Sequence, residues 1–279
     1  MTTLGQIYQN TKEQIGEKEA RWLLEERLGI SATDLITNKN LKLEQKQIDN
    51  IVTDIKQRLA GKPLSKILGF NEFWGRKFKV TNDVLDPRPD TEVLIEHVLS
   101  WYKKSGKSKI SILDIGTGSG CIALTLLKEI PQSTATAIDI SEAALNIAHQ
   151  NAKEILEDPS ICTFIQGEWY PENQKKYDLI VSNPPYIETK VIENLDSEVR
   201  NHDPMLALDG GQDGLDAYKK ILQRMKYFLC EDGRAFFEIG YDQEESVSRL
   251  VKDSRFTLEG VHRDYAENPR VVEISCGDK

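Results

Sequence analysis

The run Asn183-Pro184-Pro185-Tyr186 holds the side chains best suited to chemistry in this sequence. It follows the apolar run 178–182, which is typical of a buried strand. Each proline keeps the residue before it out of the α region, so Asn183 is expected in stiff, extended backbone at the strand end. The Asn183 amide oxygen and the Pro184 backbone carbonyl then form an acceptor pair suited to an –NH2 group, and Tyr186 adds an apolar wall with a polar tip. Taken alone, the run fits a simple proline turn equally well.

A glycine-rich loop is the second candidate site, with the sequence Asp114-Ile115-Gly116-Thr117-Gly118-Ser119-Gly120. Its glycines allow a tight turn and the close approach of a ligand to the backbone. The helix predicted to follow it offers free N–H groups and a positive dipole end to an anion. We therefore predict that residues 116–120 bind a cofactor, with a purely structural glycine turn as the alternative.

Asp139 indicates which cofactor this is. It ends the next predicted strand, about 20 residues after the loop, where a carboxylate can accept hydrogen bonds from both ribose hydroxyls of an adenosine moiety. The G-x-G-x-G spacing differs from that of dinucleotide enzymes, and no Walker lysine follows it. Both features favour S-adenosylmethionine, whose anion is a carboxylate, over NAD or ATP. Trp169, after the third strand, is predicted to flank the adenine, although a core position explains it nearly as well.

Together the two sites predict methyl transfer to nitrogen. Ligands of open α/β sheets bind beyond the carboxyl ends of the strands, so Asn183 is predicted to border the cofactor and its reactive methyl group. A planar amino group, on adenine, on cytosine or in a carboxamide, is a poor nucleophile because its lone pair is delocalised. Two accepted N–H bonds favour pyramidalisation and direct the lone pair at the methyl group. Catalysis then comes from positioning, and no general base is evident near the run.

Two patterns define the elements that must position these residues. Residues 1 to about 60 show the i, i+3, i+4 periodicity of amphipathic helices, and residues 67–81 predict a hairpin around Trp74-Gly75-Arg76. From residue 110 onwards strands alternate with helices, which predicts a mostly parallel sheet. The predicted strands are 110–115, 134–140, 161–165, 177–182, 234–239, 256–262 and 271–275.

Three further segments are predicted in less detail. A helix follows Pro87-Arg88-Pro89, with Asp90 or Thr91 as its cap. The sequence favours a solvated charge for Arg88 over the alternative that it lines a ligand site. Another helix is predicted over residues 218–229. The stretch 187–216 lacks periodicity and is predicted to be a long loop that shapes the site.

Composition and charge exclude several classes of function. The net charge of −9 argues against tight, sequence-independent binding of nucleic acid, which relies on lysine and arginine. No apolar stretch approaches the ~20 residues of a membrane helix, so we expect a cytoplasmic protein with no membrane contact. The four cysteines and four histidines show no ligand spacing, so we expect neither a metal nor a disulfide framework. The cysteines are Cys121, Cys162, Cys230 and Cys276.

The chain resembles the HemK/PrmC family of N5-glutamine methyltransferases from about residue 60 onwards. The glycine loop and Asn-Pro-Pro-Tyr occur in many aminomethyltransferases, whereas the Arg-Pro-Asp-Thr-Glu and Phe-Trp-Gly elements are much more particular to this family. The stretches that carry the resemblance are Leu68-Gly69, Glu72-Phe73-Trp74-Gly75, Pro87-Arg88-Pro89-Asp90-Thr91-Glu92, Asp114–Gly120, Asp139, Trp169, Ser182–Tyr186, Asp213-Gly214-Leu215 and Arg263-Asp264-Tyr265.

This resemblance implies an α/β fold: a seven-stranded, Rossmann-like class I methyltransferase domain, preceded by a small N-terminal helical bundle and a β-hairpin linker. The corresponding boundaries are 1–62 for the bundle, which docks the substrate protein, 63–86 for the linker and 87–279 for the methyltransferase domain. The implied reaction methylates the glutamine of the Gly-Gly-Gln motif in class I peptide chain release factors and leaves S-adenosylhomocysteine. The implied catalytic and substrate-binding residues are Asn183, Pro184, Pro185 and Tyr186.

Two other functions remain open on the residues alone. The first is an adenine-N6 or cytosine-N4 nucleic-acid methyltransferase, since a flipped base presents the same –NH2 group to Asn183. The second is a cofactor-binding scaffold without turnover, against which the presence of both Asn183 and Asp139 argues. The chain also departs from the family's frequent residues at 202–204 and 264–268, which bears on the substrate side more than on the reaction.

Overall fold

The structure, a computed structural model, describes residues 2–277 and falls into two compact units. The first extends up to Phe70 and includes Asp196–His202, and the second comprises Asn71–Leu195 with the chain from Asp203 onwards. Within the described residues, no helix combines the length and the apolar character needed to span a bilayer. The α-helices are α1 (Leu4–Ile15), α2 (Glu17–Leu28), α3 (Ala32–Thr37), α4 (Gln45–Leu59), α5 (Leu64–Leu68), α6 (Glu92–Ser105), α7 (Cys121–Glu129), α8 (Glu142–Ile155), α9 (Thr189–Ile192), α10 (Ser197–His202), α11 (Met205–Leu208), α12 (Asp216–Met225) and α13 (Glu244–Asp253).

The first unit contains α1–α5 together with α10. Its helices begin where the sequence supplies caps: Thr3 and Ser31 each form a capping box, and Gly29 ends α2 in the left-handed conformation. The apolar faces of these helices meet in one core, in which Leu23 and Leu24 are fully buried. The predicted helical character of the N-terminal region is therefore confirmed.

The second unit is built on a seven-stranded sheet with the order β5-β4-β3-β6-β7-β9-β8. Five of the strands run parallel, and β9 is antiparallel to both of its neighbours. A separate two-stranded hairpin, β1–β2, precedes the sheet. The strands are β1 (Phe70–Phe73), β2 (Arg76–Lys79), β3 (Ser111–Ile115), β4 (Thr134–Asp139), β5 (Cys162–Gln166), β6 (Tyr177–Ser182), β7 (Leu229–Glu238), β8 (Phe256–Arg263) and β9 (Pro269–Cys276).

Two hydrophobic cores cover the faces of this sheet, which explains why its central strands read as continuous apolar runs. One core includes α6 and α7, and the other includes α12 and α13. Alternate residues of a strand point to opposite faces, so Ile112 belongs to the first core and Leu113 to the second.

The strand register brings the candidate residues to one edge of the sheet. Ile115 pairs with Ile138 of β4 and with Ser182 of β6, so the glycine loop leaves the sheet between Asp139 and Asn183. Connections run outwards from β3 in both directions, which makes the β3–β6 boundary the topological switch point where such sheets bind ligands. The predicted α/β fold with a seven-stranded sheet and preceding helices is confirmed.

Several local predictions are wrong. Ile67 and Leu68 lie in α5 and not in the hairpin, which begins at Phe70. The helix predicted over 218–229 is α12, and it ends at Met225 because Leu229 already belongs to β7. The stretch 187–216 contains the short helices α9, α10 and α11 instead of one irregular loop.

Candidate functional site

A cavity of about 390 Å³ opens at the carboxyl ends of the central strands. This volume lies in the range of small-molecule sites. Among the predicted site residues, Gly116, Thr117, Gly118, Ser119, Asp139, Trp169, Asn183 and Pro185 line it. Gly120, Pro184 and Tyr186 do not. The cavity thus brings together most of both predicted sites.

The glycine loop forms one wall through its backbone. Gly116 and Gly118 have φ values of +69° and +55°, a region that side chains rarely adopt. A Cβ added to either residue would meet no atom within 4 Å, so open space lies against the loop. Gly120 plays a different part, because a Cβ there would lie 3.0 Å from the Leu124 side chain, under the first turn of α7. The first two glycines therefore leave room for a ligand, while the third allows close packing.

Asp139 fixes the loop from the neighbouring strand. Its two carboxylate oxygens accept hydrogen bonds from the backbone N–H groups of Gly118 and Ser141, each at 2.9 Å. Burial raises the pKa of Asp139, and these two donors offset part of that effect. Each carboxylate oxygen can still accept a second hydrogen bond. This geometry fits a ligand that offers paired hydroxyl groups beside the glycine loop.

Asp114 supports the loop from below and was not predicted as a site residue. Its Oδ2 accepts hydrogen bonds from the Thr117 hydroxyl at 2.6 Å and from the Ala123 N–H at 3.3 Å. Burial raises the pKa of Asp114 to about 7. Asp114 does not line the cavity, so its contribution is to hold the loop and the start of α7 together.

Asn183 is held from behind by two buried residues, Thr91 and Glu238, whose contact with it the sequence did not predict. Its Nδ2 donates to the Thr91 hydroxyl at 3.2 Å, and that hydroxyl donates to Glu238 Oε2 at 2.6 Å. Thr91 was predicted as a possible cap of α6, but its side chain makes no capping hydrogen bond. Burial raises the pKa of Glu238 to about 7. Glu238 ends β7, next to the strand that leads into Asn183.

The backbone after Asn183 is fixed by further contacts. The Gln243 side-chain amide donates to the Tyr186 carbonyl at 3.0 Å and to the Gly214 carbonyl at 3.1 Å. A Cβ on Gly210 would lie 2.8 Å from Tyr186 Cα, so only glycine allows this approach. The Tyr186 ring packs against the core around α12 and β7. Asn-Pro-Pro-Tyr is therefore clamped between chain segments that follow it.

Arg88 lines the cavity and is also exposed, with 44% of its side-chain surface accessible, so it is at once a solvated charge and a residue of the site. The Arg88 guanidinium lies 2.9 Å from Oδ2 of Asp203, whose side chain is almost fully buried. The next residues, Pro204, Leu206 and Ala207, line the cavity as well, and Leu206 is 66% exposed. Residues of the stretch 187–216 therefore form an apolar rim of the cavity.

A metal is not suggested by this cavity, and its absence stays a prediction. Among residues 2–277, the side chains grouped closely enough to hold an ion are Asp178, Cys230 and Asp232. The Lys107 ammonium lies 2.7 Å from both of these carboxylates and already occupies the centre of the group. Asp178 lies near the start of β6, at the end of the strand opposite to Asn183.

Two family models match the chain. Residues 82–201 match the methyltransferase small domain, and residues 9–69 match the PrmC N-terminal domain. A solved methyltransferase from Pyrococcus furiosus superimposes with a TM-score of 0.54 over 84% of this chain and the whole of that chain, at 14% identity. At this identity, the similarity supports the fold alone.

Curated relatives match along nearly the full length. A release factor glutamine methyltransferase of Agrobacterium fabrum is 42% identical over 256 residues, which cover 91% of this chain and 88% of the relative. A protein of the same description from Caulobacter vibrioides is 37% identical over 255 residues, with 91% and 87% covered. Each of these matches covers about nine tenths of the chain.

Proposed function

This chain belongs to the release factor glutamine methyltransferase family, and from this premise we propose that it transfers a methyl group from S-adenosylmethionine to the side-chain amide nitrogen of a glutamine. The observation that carries the proposal is the single cavity at the switch point. The glycine loop and Asp139 border it on one side of the β3–β6 boundary, and Asn183 borders it on the other. A methyl donor bound at the loop and a glutamine bound at Asn183 would therefore be adjacent without any rearrangement of the strands.

We propose that the cofactor binds to the loop 116–120 and occupies the half of the cavity lined by residues 116–119, Asp139 and Trp169. The space beside Gly116 and Gly118 leaves room for it, and the open acceptor positions of Asp139 suit ribose hydroxyls. When bound, S-adenosylmethionine supplies a methyl group whose bond to sulfur breaks, with its electron pair, as the nitrogen lone pair forms the new N–C bond.

Asn183 acts on the substrate amide. Its Nδ2 is already engaged with Thr91, which leaves Oδ1 to accept from the glutamine –NH2 group. We assign the second acceptor to the backbone carbonyl of Pro184, which does not line the cavity itself but joins the two lining residues Asn183 and Pro185. The stiff backbone through Pro185 and Tyr186 positions both acceptors. Two accepted bonds orient the nitrogen lone pair and stabilise the positive charge that grows on nitrogen. The nitrogen then releases one proton to solvent.

We propose as substrate the glutamine of the Gly-Gly-Gln motif of class I peptide chain release factors, and the relatives' description as release factor glutamine methyltransferases supports a release factor glutamine. A protein substrate fits a chain with a net charge of −9 better than a nucleic acid does, since phosphates repel acidic surfaces. We propose that residues 1–62 dock this substrate, that residues 63–86 link them to the methyltransferase domain 87–279, and that the protein works in the cytoplasm without a membrane or a metal.

The test is incubation of the purified protein with methyl-labelled S-adenosylmethionine and a class I release factor. We expect one methyl group per factor, located on the glutamine amide by peptide mass spectrometry. The matched control is a factor in which this glutamine is replaced by glutamate, which should stay unlabelled. Equal labelling of both factors, or labelling of single-stranded DNA or RNA in their place, would contradict the proposal.

A further inference from the structure

Three side chains from distant parts of the sequence form one buried row behind the cavity. Glu238 and Thr91 are each only 2% exposed, and the Thr91 hydroxyl lies 2.6 Å from the carboxylate and 3.2 Å from Asn183 Nδ2. The backbone of Glu238 is fixed as well, because its carbonyl accepts from the Tyr218 hydroxyl at 2.7 Å. The row therefore has little freedom to move independently of the sheet.

The carboxylate of Glu238 determines the direction of the hydrogen bonds in this row. An ionised carboxylate has acceptor oxygens only, so it requires the single hydroxyl hydrogen of Thr91. Thr91 then faces Asn183 with lone pairs and can only accept. The donor of the Asn183 amide, Nδ2, must point towards Thr91, and its acceptor, Oδ1, must point away from the row.

We infer that Glu238 is a positioning residue for methyl transfer, which acts through the Thr91 hydroxyl to hold the Asn183 amide with its oxygen towards the substrate nitrogen. This inference rests on the proposed function, since it concerns the same acceptor. An asparagine amide has nearly the same shape when turned by 180°, and in that orientation it would present N–H groups to the substrate –NH2 group. A donor facing a donor would not hold the glutamine, so the carboxylate decides whether Asn183 works.

The protonation of Glu238 changes the direction of the row. Burial raises its pKa to about 7, with a smaller contribution from the nearby Asp90, while hydrogen bonds from Thr91 and from the Asn183 side chain and the charge of Arg270 oppose the rise. The direct contact from Asn183 to the ionised carboxylate also uses an amide N–H group, so it favours the same orientation of the amide as the Thr91 contact does. Once protonated, the carboxyl group can donate to Thr91, which then becomes free to donate to Asn183. The forced orientation of the amide is lost, so the transfer rate should fall as the pH drops below about 7.

Three neutral groups that face Glu238, namely Tyr186, Tyr218 and Cys121, do not change charge between pH 5 and 8. Tyr186 and Tyr218 have pKa values raised above their ordinary value by burial, and burial raises the pKa of Cys121 to about 12. All three stay neutral between pH 5 and 8. Asp90 and Arg270, which form an ion pair at 2.9 Å, are the remaining charged neighbours.

The experiment compares two substitutions at Thr91 with one at a matched site. Thr91→Val removes the hydroxyl at nearly constant volume, and Thr91→Ser keeps it. Thr125→Val is the control, because the Thr125 hydroxyl is also buried but has no hydrogen-bond partner among the described residues. We expect Thr91→Val to lower kcat on the release factor about 10- to 100-fold, with KM for S-adenosylmethionine unchanged. Thr91→Ser should restore most of the rate, and Thr125→Val should match the wild type.

Glu238→Gln tests the carboxylate directly. A carboxamide can both donate and accept, so it no longer imposes one direction on Thr91. We expect a lower kcat that no longer rises between pH 6 and 8, and we expect the Thr91→Val, Glu238→Gln double variant to lose no more than the worse single one. Equal rates for Thr91→Val and wild type, or an unchanged pH profile in Glu238→Gln, would overturn the inference. Failure of the wild type to methylate the factor would instead overturn the proposed function.

Discussion

The two halves of the cavity are built in different ways. In the cofactor half, the hydrogen bonds that shape the loop join residues 3, 9 and 21 positions apart, and most of them involve backbone N–H groups. In the substrate half, Asn183, Thr91 and Glu238 are joined by side chains 92 and 147 positions apart. The first half is a local arrangement within one strand–loop–helix–strand unit, whereas the second exists only once the sheet has formed.

This difference assigns separate tasks to the halves. A loop that presents backbone groups and glycines can hold a cofactor whichever chemistry follows, which fits its wide occurrence in methyltransferases. The substrate half has to present one acceptor oxygen in one orientation. It therefore relies on buried side chains that allow the Asn183 amide a single orientation. Substitutions in the two halves should therefore separate cofactor affinity from the rate of transfer.

The largest expected effect comes from Asn183→Ala. Removing the acceptor should lower kcat on the release factor at least about 100-fold, the usual loss for a preorganised polar contact at a reacting group. S-adenosylmethionine affinity, measured by calorimetry, should fall much less, because Asp139 and the loop remain. A transfer rate equal to that of the wild type would refute the mechanism even if the family assignment is correct.

Asp139→Asn should show the reverse of Asn183→Ala, with a lower S-adenosylmethionine affinity and a nearly unchanged kcat. The amide would direct N–H groups at a backbone donor, either Gly118 or Ser141, and would lose the charge, so S-adenosylmethionine affinity should fall about 10- to 100-fold. kcat at saturating cofactor should change little. Asp158→Asn is the matched control, since Asp158 accepts from the N–H two residues on, as Asp139 does, but in an exposed turn. If Asp139→Asn lowered only kcat, the proposed division between the halves would be wrong.

The same contrast explains which parts of the site the sequence could predict. The glycine spacing, Asp139 and the strand that ends at Asn183 are local patterns, and each predicts its role from the sequence alone. Thr91 lies in the Arg-Pro-Asp-Thr-Glu element of the family resemblance, but no local pattern indicates its contact with Asn183, and a glutamate at a strand end such as Glu238 is common. Their roles depend on register: Ser182 pairs with Phe237, which sets Glu238 beside Asn183.

The partner of Arg88 and the short helices of 187–216 could not be predicted for a related reason. Arg88 precedes a helix in a proline-rich segment, where a charge is usually solvated, and its partner Asp203 lies 115 residues away. The helices of 187–216 have four to six residues, too short for an apolar period to be visible. Their shape comes from contacts such as that between Ile187 N–H and the Leu208 carbonyl.

Gly210→Ala tests whether long-range packing is what the substrate half depends on. The added methyl group would meet the Tyr186 and Pro185 backbone at 2.8 and 2.9 Å, so the clamped run must shift. We expect a loss of about 1–3 kcal/mol in the free energy of unfolding and a lower kcat, with cofactor affinity retained. Gly260→Ala, where the nearest atom is 3.6 Å away, is the control and should affect none of the three. If Gly210→Ala lowered only the cofactor affinity, the contact between Gly210 and the Asn-Pro-Pro-Tyr run would not serve the substrate half.

The last contrast concerns two buried carboxyl groups, one behind each half. Burial raises the pKa of both Asp114 and Glu238 to about 7. The folded state holds these protons more tightly than the unfolded state does. Proton binding by the two groups therefore contributes fully to the free energy of unfolding below about pH 4, and this contribution is lost as the pH rises through 7. Each group contributes a slope of at most about 1.4 kcal/mol per pH unit.

Asp114→Asn and Glu238→Gln should each remove one such contribution. Urea unfolding at pH 5, 6, 7 and 8 should show that wild-type stability declines relative to either variant as the pH rises. The two halves then differ in the companion measurement, since Glu238→Gln alone should also flatten the pH profile of kcat. If Asp114→Asn flattened that profile too, the two carboxyl groups would act on the same step, and the separation between cofactor binding and amide positioning would not hold.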